Sequence, residues 1–346
     1  MIKTLTSWRA LFAIVIVCYH FMMRWTVELG FMGVVFFFMV SGFLTVLHHN
    51  AGRDTCHTRG FYSRRLGRIV PLHWLVLAMI IALDLTRVHS LHYGPDLPLH
   101  VMLLQSWIPR LDSVYNYSIH SWFLSTMLAC VIATPLLLKA MRHSRLWATW
   151  TAIAVACTAL IIIDYNAGDN IVALTHVHPL ARIIDYATGM ALAMSIPRLS
   201  DKVQHLSFAK ATVIELAILA IIVLFITLHA TCENVLGKLL FAPLWWIPVA
   251  AIITGCTLLN HHEGALGRIL TCKPLVWLGT ISFEIYILQK PANLIFCYLV
   301  APLCGHYGWL VYDYSFEGTL PVLLVLACAV HRWFTKPVSR LANRMA

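Results

Sequence analysis

The stretch Trp8-Arg9-Ala10-Leu11-Phe12-Ala13-Ile14-Val15-Ile16-Val17-Cys18-Tyr19-His20 decides the fold class. It is an apolar run broken only near its ends, by Arg9 and His20. A helix needs about 20 such residues to cross a bilayer core. Comparable runs recur near residues 30–48, 69–88, 119–139, 146–164, 178–197, 212–229, 239–259, 275–299 and 318–335. With the first, near 8–26, they make about ten spans and use most of the 346 residues. Composition agrees: 60% of residues are hydrophobic, 12% are charged and the mean hydropathy is +0.77, whereas a soluble domain carries about 25% charged residues. The fold expected is all-α, a polytopic transmembrane helical bundle forming one integral membrane domain over residues 1–346, with no room for a soluble unit. The first run is too long for a signal-peptide core and no small-residue cleavage site follows it, so it reads as a retained span. Leu97–Pro109 is too short to span and is expected to lie at the interface or to fold back into the protein.

The net charge is +10. Nucleic acid is not the expected partner, because basic residues of a membrane protein gather in cytoplasmic loops and set its orientation. With the N-terminus inside, ten spans place 19 of the 25 Lys and Arg residues on the inner side and leave Arg24, Arg87, Arg110, Arg182, Lys238 and Lys290 elsewhere. Both termini are therefore expected in the cytoplasm, in the cytoplasmic (inner) membrane. The 49–68 loop is short and basic, while 89–118 is external and holds His89, His92, Asp96, His100 and Asp112. None of the ten cysteines forms a Cys-x-x-Cys pair, and Cys232 with Cys304 is the one candidate pairing across external loops. His176-x-His178 has no carboxylate-rich or cysteine-bearing companions, so no metal is expected.

Arg9 and His20 lie eleven residues apart, three helical turns and a small remainder, which places both on one face about 16 Å apart along the axis. An ionisable residue at the centre of a span costs about 2.5–3.5 kcal/mol on insertion scales. A histidine facing a polar cavity serves as a general base, because its pKa lies near neutrality. By spacing alone, a positive-inside anchor and a packed histidine explain the pair equally well. Phe61-Tyr62-Ser63-Arg64-Arg65-Leu66-Gly67-Arg68-Ile69-Val70-Pro71 sets Arg64 or Arg65 on one face with Arg68 if helical. Such a cluster grips phosphates, as on coenzyme A, or contacts lipid headgroups. In the run Gly33 to Leu44, Ser41-Gly42 permits close helix approach and places a hydroxyl deep in the membrane. His120 and Trp122, at the outer mouth of the fourth span, are candidates to line a sugar site. Arg182 and Asp185 read as a structural ion pair.

The ordered set of these motifs resembles the acyltransferase 3 family of membrane acyltransferases. The Arg9…His20 first span, the Gly33-Val34…Ser41-Gly42-Phe43-Leu44 second span and the Arg65-x-x-Arg68…Pro71 entry to the third carry the resemblance. Trp122-Phe123-Leu124-Ser125 and Leu278-Gly279-Thr280-Ile281-Ser282-Phe283-Glu284-Ile285-Tyr286-Ile287-Leu288 extend it to about residue 290. The chain departs at Val35 and Met127, where many members are acidic, and at Gln289, where many have histidine.

The resemblance implies about ten spans and transfer of an acyl group, usually acetyl from acetyl-CoA, to a carbohydrate hydroxyl. It makes His20 the catalytic histidine, Arg9 its partner, and Arg65 and Arg68 the arginine pair, with Arg64 beside them as a further donor contact. Ser41, His120, Trp122, Glu284 and Gln289 are the candidate substrate contacts; Glu284 serves equally as a structural partner of a cation. The expected partners are acyl-CoA, a cell-surface carbohydrate or lipid-linked glycan, and membrane lipids. The alternative is a transporter or exporter of a small organic anion, in which the arginines bind substrate and His20 relays protons. The sequence shows no internal repeat of the kind that marks many transporters.

Overall fold

A computed structural model describes residues 2–21, 27–50, 59–85, 94–197, 206–231, 243–260, 262–303 and 315–344. Cys232, Cys304, His89 and His92 lie outside the described residues. Among the described residues there are helices and no strands. In chain order the helices are α1 Lys3–His20, α2 Val27–Asn50, α3 Arg59–Leu83, α4 Leu97–Val101, α5 Leu111–Tyr115, α6 Trp122–His143, α7 Leu146–Asn166, α8 Pro179–Ser195 and α9 Phe208–Thr231. They continue with α10 Trp246–Leu258, α11 Ala265–Leu270, α12 Lys273–Thr280, α13 Ser282–Ile287, α14 Gln289–Ile295, α15 Ser315–Val330 and α16 Lys336–Arg344.

Six segments among the described residues are long and apolar enough to cross a membrane: Glu28–His49, Gly60–Leu83, Trp122–His143, Leu146–Asn166, Phe208–Thr231 and Phe316–Arg344. They match six of the ten expected runs and make the chain a multi-pass membrane protein. The other four runs are helical but depart from a plain span. Helix α1 carries Lys3 and Arg9, α8 has 17 residues and α10 has 13. The 275–299 run is interrupted at Ile281 and Leu288, whose backbones leave the helical geometry. Irregular backbone at membrane depth survives where it lines a cavity or is covered by protein, and that is where these breaks fall.

Burial ranks the helices. The apolar window of α2 is 72% buried, whereas those of α7 and α9 are 17% buried. Helix α2 is thus the central strut, and α7 and α9 turn residues such as Val155 and Val223 outward. Helix α2 packs most intimately on α8 by a reciprocal fit. A side chain at Gly42 would strike the Tyr186 carbonyl, and one at Gly189 would strike the Met39 carbonyl. Lipid tails are as apolar as the helices, so this contact comes from close backbone approach rather than hydrophobic burial.

Helix α8 also carries the buried ion pair. Arg182 Nη1 lies 2.7 Å from Asp185 Oδ2, with both side chains at most 1% exposed. Arg182 Nη2 donates to the Thr175 carbonyl at 2.7 Å, and Trp246 Nε1 donates to Asp185 Oδ1 at 2.5 Å. The pair therefore fastens α8 to the turn before it and to α10.

The 97–109 stretch folds back against the start of α6. Ser125 Oγ donates to the Leu103 carbonyl at 2.6 Å, Gln105 Nε2 donates to the Ser121 carbonyl at 3.2 Å, and Ser106 Oγ donates to the Trp122 carbonyl at 3.2 Å. Leu103 adopts φ +57° to make the turn. His100 is fully buried and donates from Nε2 to the Ser113 carbonyl, so this histidine is structural. Burial holds its imidazole below the usual histidine range.

Gly42→Leu is expected to lower the melting temperature of the detergent-solubilised protein, because overpacking a close contact costs about 1–3 kcal/mol. Unchanged melting would disprove the interlock. Asp185→Leu alone leaves a buried cation unpaired, at a cost of about 3–5 kcal/mol. Adding Arg182→Met should recover much of that loss in the same melting assay.

Candidate functional site

A cavity of about 640 Å³ opens at the end of the bundle where α3 begins. Ligand pockets run from about 300 to 1,000 Å³. Four guanidinium side chains line it, Arg9 from α1 and Arg64, Arg65 and Arg68 from α3, with Ser41 from α2. The arginine segment is helical, the condition for its arginines to share a face, and sits one turn before Pro71. Phe37, Met127, Val131 and Phe283 supply apolar wall. No acidic residue lines the cavity among the described residues. An apolar-walled chamber lined by four guanidinium groups suits an anion that carries an apolar portion.

Two of these arginines are held in place. Arg68 Cζ sits 5.6 Å from the Phe283 ring centroid, within cation–π range. Arg65 Nη2 donates to Thr45 Oγ1 at 3.0 Å. The Thr45 hydroxyl meets the Tyr186 hydroxyl at 2.9 Å, which in turn meets Thr134 Oγ1 at 2.9 Å. Thr45, Tyr186 and Thr134 are all buried. The α2–α8 interlock that brings Tyr186 to Thr45 therefore also orients an arginine of the cavity.

His20 lies at the opposite end of α1 and does not line the cavity. Its Nδ1 is 3.0 Å from Gln289 Oε1. Gln289 Nε2 donates to the Tyr286 carbonyl at 2.8 Å. That bond fixes which way the amide points, so its oxygen accepts from His20 and the proton sits on Nδ1. Nε2 is left with its lone pair, the tautomer a general base requires. The His120 ring stands edge-on to His20, with centroids 4.3 Å apart. His120 is 4% exposed, and neither of its ring nitrogens has a hydrogen-bond partner among the described residues.

Phe123 and Tyr286 join the two ends. Both line the cavity, and their rings lie 5.0 Å apart. The Tyr286 ring stands 5.9 Å from that of His120, and its hydroxyl donates to the His120 carbonyl at 3.3 Å. One aromatic layer thus separates the arginine cavity from the histidine pair.

The sequence candidates divide accordingly. Arg9, Ser41, Arg64, Arg65 and Arg68 converge on the cavity; His20, His120 and Gln289 converge beyond it. Trp122 is buried against Phe38 and His176 beside the histidine pair. Glu284 does not line the cavity: it is fully buried and its Oε1 is 2.7 Å from His331 Nδ1. Sequence reasoning missed the Thr45–Tyr186–Thr134 chain, the Phe123–Tyr286 layer, and the contribution of Ser339 and Asn343 to the cavity wall. Tyr286 sits in a quoted motif, but nothing in the motif shows that its ring closes a chamber.

Comparison with known proteins identifies the family. The model of a family described as an acyltransferase domain, acyltransferase 3, matches residues 2–334. YrhL of Bacillus subtilis (strain 168), provisionally named a peptidoglycan O-acetyltransferase, is 26% identical over 323 residues, covering 85% of this chain and 49% of that protein. The peptidoglycan O-acetyltransferase OatA of Listeria monocytogenes is 25% identical over 322 residues, covering 84% and 49%. The acyltransferase MdmB of Streptomyces mycarofaciens is 27% identical over 188 residues, covering 48% and 46%. The chain spans about half the length of the curated relatives it matches. No solved structure matches. With the family match spanning nearly the whole chain, this protein belongs to the acyltransferase 3 family.

Proposed function

We propose that the chain is an O-acyltransferase that moves an acyl group, acetyl from acetyl-CoA, to a hydroxyl of a cell-surface carbohydrate or lipid-linked glycan. The relatives' names point to a peptidoglycan-type glycan as the acceptor class. The observation that carries the reading is the convergence of four arginines on one apolar-walled cavity, separated by one aromatic layer from a histidine in the basic tautomer.

In this reading the arginine end faces the cytoplasm, with both termini, and the His20 end faces outward across the inner membrane. Arg64, Arg65 and Arg68 bind the donor's phosphates, and Arg9 offsets negative charge deeper along α1. The acyl end passes the Phe123–Tyr286 layer toward His20. There His20 Nε2 accepts the proton of the acceptor hydroxyl as its oxygen attacks the thioester carbon. Collapse of the tetrahedral adduct breaks the carbon–sulfur bond, and the proton on His20 passes to the departing CoA thiolate. Gln289 keeps the ring in the working tautomer. His120, Trp122 and Ser41 are the acceptor- and acyl-side contacts, and Glu284 supports the site from behind through His331.

Membranes from producing cells should transfer radiolabelled acetyl from acetyl-CoA to glycan and release free CoA; a transporter of organic anions would do neither. His20→Ala, at normal membrane levels, should lower the rate by about 10²–10⁴-fold, the range for losing a general base. Full activity in that variant sinks the assignment. Gln289→Leu should cost about tenfold, since it leaves the Nδ1 proton without its acceptor, while Gln289→His, which supplies a ring nitrogen instead, should retain most activity. Arg65→Gln should raise the KM for acetyl-CoA about tenfold with kcat nearly unchanged, the signature of lost donor binding; a pure loss of kcat would contradict a binding role.

A further inference from the structure

A second hollow, of about 360 Å³, opens beside the large cavity. Arg68, Ser339 and Asn343 line both, so the two spaces adjoin. The second adds His331, Lys336 and Arg340 from the end of the chain. No acidic residue lines it among the described residues. Glu284, the carboxylate facing this region, is engaged at Oε1 by His331 Nδ1.

The hollow is a product of how α16 docks. Ser63 Oγ donates to the Ala342 carbonyl at 3.2 Å, and Ala342 is buried against Gly67. A Cβ at residue 67 would come within 2.6 Å of the Ala342 Cβ. Gly67 sits inside Arg64-Arg65-Leu66-Gly67-Arg68, so the bare backbone that lets α16 lie flush also brings Lys336 and Arg340 alongside Arg68. Lys336 and Arg340 are exposed, so water screens their repulsion, and with Arg68 they give the hollow a positively charged lining that suits an anion. Thr335, 5% exposed, lines the same hollow, and its Oγ1 has no hydrogen-bond partner among the described residues.

Coenzyme A carries two separate phosphate groups, a pyrophosphate along its chain and a phosphomonoester on the ribose. The protein has two adjoining cationic spaces that share Arg68. We infer that the second hollow binds a phosphomonoester, the ribose 3′-phosphate of the acyl donor, with Lys336 and Arg340 as its principal contacts. The inference rests on the donor reading above and deepens it: it assigns to residues 335–344, beyond the family match that ends at 334, part of donor recognition. Phosphate chemistry also occurs in anionic lipid headgroups, which a basic amphipathic helix meets at the membrane surface.

The test is equilibrium binding of CoA and 3′-dephospho-CoA to the purified full chain in nanodiscs of neutral phosphatidylcholine. Wild type should bind CoA about tenfold more tightly, the worth of one charge-assisted contact set. Lys336→Gln/Arg340→Gln should bring CoA down to the level of 3′-dephospho-CoA and leave the latter unchanged, and Arg340→Lys should keep most of the discrimination. Equal affinity of the wild type for both ligands overturns the inference while leaving the donor reading intact. Discrimination that survives in the double variant also overturns it. Binding of neither ligand overturns the donor reading itself. A second arm replaces part of the lipid with anionic phosphatidylglycerol. If CoA discrimination is absent and the double variant changes only the response to that lipid, the hollow is a headgroup site. If the double variant does not accumulate, Arg340→Gln alone should lower the preference for CoA severalfold, and an unchanged preference overturns the inference.

Discussion

A guanidinium inside a lipid-facing bundle must be given somewhere polar to be, and most of this structure follows from that requirement. Arg9 lies within α1, and three more arginines crowd the first turns of α3. All four line one cavity, and none of the described residues lining it is acidic. Arg65 is oriented by hydroxyl groups and Arg68 by an aromatic face, neither of which neutralises the charge. The contrast with α8 is instructive. There Arg182 is fully enclosed and matched by Asp185, which makes it a strut and leaves it no capacity for a ligand.

The scaffold and the site are not separable layers. Gly42 and Gly189 let α2 and α8 touch backbone to backbone, and that contact delivers the Tyr186 hydroxyl to Thr45 and so to Arg65. The breaks at Ile281 and Leu288 divide one apolar run into three short helices. Each piece presents different groups: Ser282, Phe283 and Tyr286 to the cavity, Glu284 to His331, and Gln289 to His20. An unbroken helix would not present this set with these same orientations.

Much of this was legible in the sequence because charge inside an apolar run is a loud signal. Arg9, His20 and the 64–68 arginines stood out for that reason, and Arg182 with Asp185 for their spacing. Six of the ten runs are plainly long apolar helices, but hydropathy cannot see the interruptions in 275–299, since Ile281 and Leu288 are as apolar as their neighbours. Glu284 could be read either as cavity polarity or as a partner for a cation, and only tertiary packing, which brings His331 from 47 residues away, shows the bond it makes. The tail was opaque for a similar reason. In sequence Lys336, Arg340 and Arg344 count only toward the basic inner side, and nothing in them shows the close approach of Gly67 to Ala342.

The Phe123–Tyr286 layer has an electrical side. A polar chamber enters from one end of the bundle, and the buried polar groups of His20, His120 and Gln289 lie just beyond it. In an energised membrane each elementary charge that crosses gives up about 2.3 kcal/mol per 100 mV. Two packed rings, with the buried His120 behind them, separate the two regions with little but hydrocarbon and a neutral hydroxyl. In the proposed orientation the layer would act as insulation, letting the two faces hold different potentials and different pH values while the chemistry proposed for them sits one aromatic layer apart.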